Sequence, residues 1–110
     1  MKKIDENLDA KLANIIKESA AIFFERIANN TSLVTVTSCF VTDRGKHAVV
    51  GVTVLPEKME SSAISFLKRN MGEFRDYLKK HSRIGIVPYV EVEIDKGEKN
   101  RQKIDKLLLE

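Results

Sequence analysis

The sequence predicts a small α+β domain of two layers, a helix pair against a three-stranded sheet in the order α-β-β-α-(kink)-α-β. Three observations predict it. A long amphipathic run precedes two Val/Thr-rich runs joined by Asp43-Arg44-Gly45. A helical apolar seam, Leu67, Met71, Phe74 and Leu78 at i, i+4, i+7 and i+11, carries a glycine in its middle. Near the end, Val90, Val92 and Ile94 alternate with Glu91 and Glu93, the period of a strand with one wet face.

The elements follow in order. From about Asp5 to Ala28, Leu8, Leu12, Ile15, Ile16, Ile22, Phe23 and Ile27 recur at helical spacing, with Asp5 or Asn7 as the expected cap. Asn29-Asn30-Thr31-Ser32 then breaks the helix with residues that prefer turns. Leu33 to Thr42 and His47 to Leu55 are expected strands of a hairpin, with Gly45 free to take positive φ. Both strands carry apolar residues at both parities, which leaves the buried face open. Pro56 ends the sheet, and Ser61 or Ser62 is the expected cap of the next helix. A glycine inside a helix costs roughly 1 kcal/mol relative to Ala, so a kink or break is expected at Asn70-Met71-Gly72, centred on Met71-Gly72, with helix resuming to about His81. Tyr89 to Ile94 is the last strand, after Pro88. Residues 97–110 form a charged, amphipathic ending that offers Ile104, Leu107 and Leu108, either docking on the domain or extending from it.

At 110 residues the chain reads as one domain, 1–110, able to bury its own core. Cys39, the lone cysteine, excludes an internal disulfide and a cysteine zinc site, and its strand-like setting favours a buried thiol. His47 and His81 have no clustered partner at ligand spacing, so no metal and no cofactor is expected. No apolar run approaches the ~18 residues of a membrane span. There is also no hydrophobic signal core, so a cytoplasmic, non-membrane protein is expected. Glu91 with Glu93, and Cys39 with either histidine, are thin cases for catalysis. No catalytic residue and no small-molecule substrate is expected.

Charge placement carries more than the net of +3. Lys68 to Arg83 holds six Lys/Arg against two Asp/Glu, leaving 13 basic and 14 acidic residues elsewhere. Lys68, Gly72, Arg75 and Lys79 make one stripe beside the apolar seam. Arg69, Glu73, Asp76 and Lys80 make another, expected to pair at i,i+4. This is the footprint of a phosphate-binding surface, with Lys68, Arg69, Arg75, Lys79, Lys80 and Arg83 as cations and Gly72 allowing close backbone approach. Arg75 is favoured most, as it follows the expected kink beside Phe74. A solvated, solubilising helix is the bland alternative. Phe66 and Tyr77 flank the seam, where packing is favoured over base stacking.

With the elements in this order, five stretches resemble the ribosome-binding factor A family, bacterial factors for small-subunit maturation. They are Val34-Thr35-Val36-Thr37, His47-Ala48-Val49-Val50, Asn70-Met71-Gly72 with Phe74-Arg75, Arg83-Ile84-Gly85-Ile86-Val87-Pro88 and Lys103-Ile104-Asp105-Lys106-Leu107-Leu108. The resemblance implies a type II KH-like two-layer domain in which an interhelical kink replaces the Gly-x-x-Gly loop, which is also missing from this sequence. Three departures stand out. Asn70 stands where the family has Ala, Asn29-Asn30-Thr31-Ser32-Leu33 stands for Asp-Pro-Arg-Leu-Gly, and the extended C-terminal tail of many relatives is not seen.

The resemblance implies a non-catalytic monomer that binds the free small (30S) ribosomal subunit through 16S rRNA and assists maturation of the 5′ region of that rRNA. The alternatives are a KH-like protein acting on another RNA, and a protein-interaction module using Ile104, Leu107 and Leu108 with no RNA at all.

Overall fold

The computed structural model describes residues 2–28 and 30–109, with side chains from Leu8 onward. The capping side chains Asp5 and Asn7, and the turn residue Asn29, lie outside the described residues. Helix α1 spans Lys2–Ile27, strand β1 Leu33–Thr42, strand β2 His47–Leu55, helix α2 Glu60–Arg69, helix α3 Met71–His81, strand β3 Tyr89–Ile94 and helix α4 Lys96–Leu109.

The three strands form one mixed sheet in the order β1-β2-β3. β1 runs antiparallel to β2, pairing Leu33 with Leu55 and Thr42 with His47. β3 runs parallel to β2, pairing His47 with Tyr89 and Val52 with Ile94, so the α2–α3 pair is the crossover between them. The hairpin turn is a left-handed run in which Asp43 and Arg44 both take φ 56° and Gly45 takes φ 82°.

The open question of strand parity has a local cause. The ladder between β1 and β2 shifts register between Val36 and Ser38. This bulge places Val34 and Val36 on the core side before it, and Cys39 and Val41 after it. On β2 the even positions Ala48, Val50, Val52 and Val54 are buried. Opposite them, α1 contributes Ile16, Ala20, Phe23 and Phe24, and the crossover helices contribute Leu67, Met71, Phe74 and Leu78. The seam read from the sequence is thus buried throughout. In α1 the buried stripe is offset from the expected one: Ala20 and Phe24 join the core, while Leu8, Ile15 and Ile22 are exposed. Phe74 is the hub, with ring centroids 5.3 Å from Phe23 and 5.8 Å from Phe24.

The expected serine cap is corrected, while the expected kink over Asn70-Met71-Gly72 is present and sits at its first residue. Ser61 and Ser62 lie inside α2 rather than capping it, because a 3-10 turn at Glu57–Met59 leads straight into Glu60. Ser62 Oγ instead donates to the Met59 carbonyl at 3.2 Å. The interruption between α2 and α3 falls at Asn70, with φ −99° and ψ 6°, and not at Gly72, which lies in the first turn of α3. A side chain holds the break: Asn70 Nδ2 donates to the Phe66 carbonyl at 2.8 Å, closing the last turn of α2.

The C-terminal segment is a full helix. Asp95 caps α4 by accepting the Glu98 N–H at Oδ1, 3.0 Å away, and its Oδ2 accepts from Thr37 Oγ1 at the β1 bulge, at 2.5 Å. Lys99 then ties α4 to Glu60 at 2.8 Å and Glu57 at 3.1 Å. Beyond these ties Ile104, Leu107, Leu108 and Leu109 are exposed.

Candidate nucleic-acid interface

The break at Asn70 and the crossover connection together build one groove. Lys68 from α2 and Met71, Gly72 and Arg75 from α3 form one wall. The other wall is Tyr89 to Glu93 of β3, an edge strand. Val90 and Val92 point into the core, which leaves Tyr89, Glu91 and Glu93 exposed.

The structure therefore gathers only part of the expected cationic set. Lys68, Gly72 and Arg75 share the groove, and Lys79 continues their stripe one turn along α3. Arg69 lies elsewhere, at a hollow between α1 and α2 lined by Phe24, Ala28, Met59 and Phe66. Lys79, Lys80 and Arg83 are exposed at and beyond the C-terminal end of α3. Among the described residues none of Lys68, Arg69, Arg75, Lys79, Lys80 and Arg83 forms an ion pair. The expected Arg69–Glu73 and Asp76–Lys80 pairs are thus not made. The first spans the break at Asn70, which ends the helical spacing it needs. The second is exposed, where such a pair is worth little.

Arg75 differs from the other cations. Its Nε donates to the Pro88 carbonyl at 3.1 Å and its Nη2 to the Val87 carbonyl at 3.3 Å. At Gly72 an added Cβ would meet nothing within 4 Å, so its surface is open. Phe66 and Tyr77 are both half-buried against the core. Tyr77 packs 5.5 Å from Phe23, 4.5 Å from His81 and 5.5 Å under the Arg26 guanidinium, so its faces are taken.

The residues missed from the sequence are those of the strand wall. Tyr89 stacks on His47 with centroids 5.8 Å apart, and His47 Nε2 lies 3.2 Å from the Glu91 carboxylate. The sequence signal was the helical connection between β2 and β3, which calls for parallel pairing and puts the crossover helices over that strand. Cys39 is half-buried, and burial pushes its thiol up to about 11. Among the described residues no group of three or more His, Cys, Asp or Glu is placed to hold a metal, and no helix is long and apolar enough to cross a membrane.

A mixed three-stranded sheet covered on one face by helices, with a broken crossover helix presenting cations beside an edge strand, defines a KH-like α+β domain. The family model described as ribosome-binding factor A matches residues 1–108. The chain belongs to the ribosome-binding factor A family. Its fold is similar to the crystal structure of ribosome-binding factor A from Thermus thermophilus, with a TM-score of 0.70 and 22% identity over 78% of this chain and 93% of that one. A Thermotoga maritima ribosome binding factor A candidate solved by NMR gives a TM-score of 0.60 and 20% identity over 84% and 87%. The Thermus thermophilus factor as fitted into a cryo-EM map of a 30S complex gives 0.63 and 22% identity over 79% and 90%. Among curated proteins, none matches the chain.

Proposed function

We propose that this chain binds the free small (30S) ribosomal subunit through 16S rRNA and assists maturation of the 5′ region of that rRNA, as a non-catalytic, cytoplasmic monomer. Family membership supports a ribosome-binding role, and a similar fold has been fitted into a 30S complex. The single observation that carries the reading is the set of exposed cations without ion-pair partners among the described residues, Lys68, Lys79, Lys80 and Arg83, from the end of α2 along α3 to just beyond it. These neutralise rRNA phosphates. The open surface at Gly72 lets the RNA backbone come close. Glu91 and Glu93 on the strand wall repel phosphates and keep the polyanion to the helix side.

Co-sedimentation with purified small subunits tests this. Lys68→Glu with Lys79→Glu replaces two exposed cations and is expected to cost less than ~0.5 kcal/mol per site in stability, yet to abolish most subunit binding. Unchanged sedimentation of the folded double variant would refute the cationic interface.

A further inference from the structure

We infer that Arg75 is a positioning residue of the groove, a brace between its two walls, and not one of its phosphate contacts; this rests on the RNA-binding reading of the groove. Two of its donors are already committed. Nε and Nη2 bond the carbonyls of Pro88 and Val87, consecutive residues that lead directly into β3. Both residues are buried, with Val87 at 7% exposure and Pro88 fully enclosed. The segment from Ser82 to Pro88 has no regular structure to supply donors for those carbonyls. Buried carbonyls need donors, and a guanidinium fork satisfies two neighbouring acceptors at once. Arg75 sits on the helix wall with Gly72, while Tyr89, the next residue after its acceptors, starts the strand wall. The fork therefore sets where β3 begins relative to α3, and with it the width of the groove. The Tyr89 N–H, which donates to the Lys46 carbonyl at 2.9 Å, is the first strand contact beyond the brace.

Charge and geometry separate the two roles. A phosphate contact survives exchange to Lys, which keeps the charge. A bidentate brace does not, because a single ammonium lacks the planar fork. The experiment measures binding of the full chain to purified small subunits across a salt series, together with amide exchange of Tyr89. Asp95 N–H, bonded to the Val52 carbonyl at 2.8 Å near the far end of β3, is the internal control. Arg75→Ala and Arg75→Lys are both expected to weaken binding about tenfold, the scale of one charge-assisted hydrogen bond. Both leave the salt slope unchanged and speed Tyr89 exchange relative to Asp95. Lys68→Ala is expected to reduce the salt slope by about 0.7–0.9 and to leave Tyr89 exchange alone. Wild-type binding by Arg75→Lys, a reduced slope for Arg75→Ala, or unaltered Tyr89 exchange in Arg75→Ala would each overturn the brace. Failure of the wild-type chain to bind subunits would instead sink the RNA reading, and the Tyr89 exchange would still decide whether Arg75 braces the walls.

Discussion

Asp95 shows how much one side chain organises here. It is held below the usual carboxylate range chiefly by the Thr37 hydroxyl, then by the Glu98 N–H that it caps. Its approach depends on Gly51: a Cβ there would sit 2.2 Å from Ser38 Oγ and 3.2 Å from Asp95 Cβ. No sequence pattern announced this link, since Thr37 and Asp95 are 58 residues apart and meet only because the bulge faces the end of β3. A carboxylate depressed in the folded state contributes stability that is complete above its unfolded pKa of about 3.9. That contribution is lost as pH falls through the lower folded value. The urea midpoint of the wild-type chain is therefore expected to drop on acidification below about pH 4, and Asp95→Asn to flatten part of that drop. Equal acid slopes for the two would remove Asp95 from the account.

At the scale of elements, the joint between α2 and α3 separates two causes that the sequence had merged. Glycine weakens helices, so the kink expected over Asn70-Met71-Gly72 centres on Met71-Gly72. The break lies at the first of these three: Asn70 leaves helical ψ and bonds back to Phe66, while Gly72 stays helical with open space around it. Asn competes with the helix by hydrogen-bonding nearby backbone, and that local chemistry decides the position. Opposite signs are expected for the two substitutions in urea denaturation. Asn70→Ala, which removes the bond to Phe66, is expected to destabilise by about 0.5–1.5 kcal/mol. Gly72→Ala is expected to stabilise by about 0.4–1 kcal/mol through the unfolded chain. Destabilisation by Gly72→Ala would show that the glycine is needed at the break after all.

Across the whole molecule, the positive excess lies at one place, the α2–α3 joint and the residues just beyond it, in a chain whose other residues nearly balance. If the four exposed cations Lys68, Lys79, Lys80 and Arg83 each meet a phosphate, the log–log salt slope of subunit binding is about −3, at ~0.7–0.9 per contact. Binding then falls by roughly two powers of ten between 50 and 200 mM salt; a flat profile would contradict the electrostatic mechanism. The sequence by itself determined the elements, their order and the apolar seam, because periodicity and turn chemistry are local. Leu67, Met71, Phe74 and Leu78 could be read as buried from spacing alone, and the cationic stretch from composition alone. Tertiary structure alone decided which cations lie together, because that depends on which strand ends up beside which helix. Parallel pairing of β3 with β2 puts Tyr89–Glu93 against Lys68 and Gly72, takes Arg69 to another face, and turns Arg75 onto the carbonyls of Val87 and Pro88. Local spacing carries no information about those neighbours, which only the packed sheet supplies.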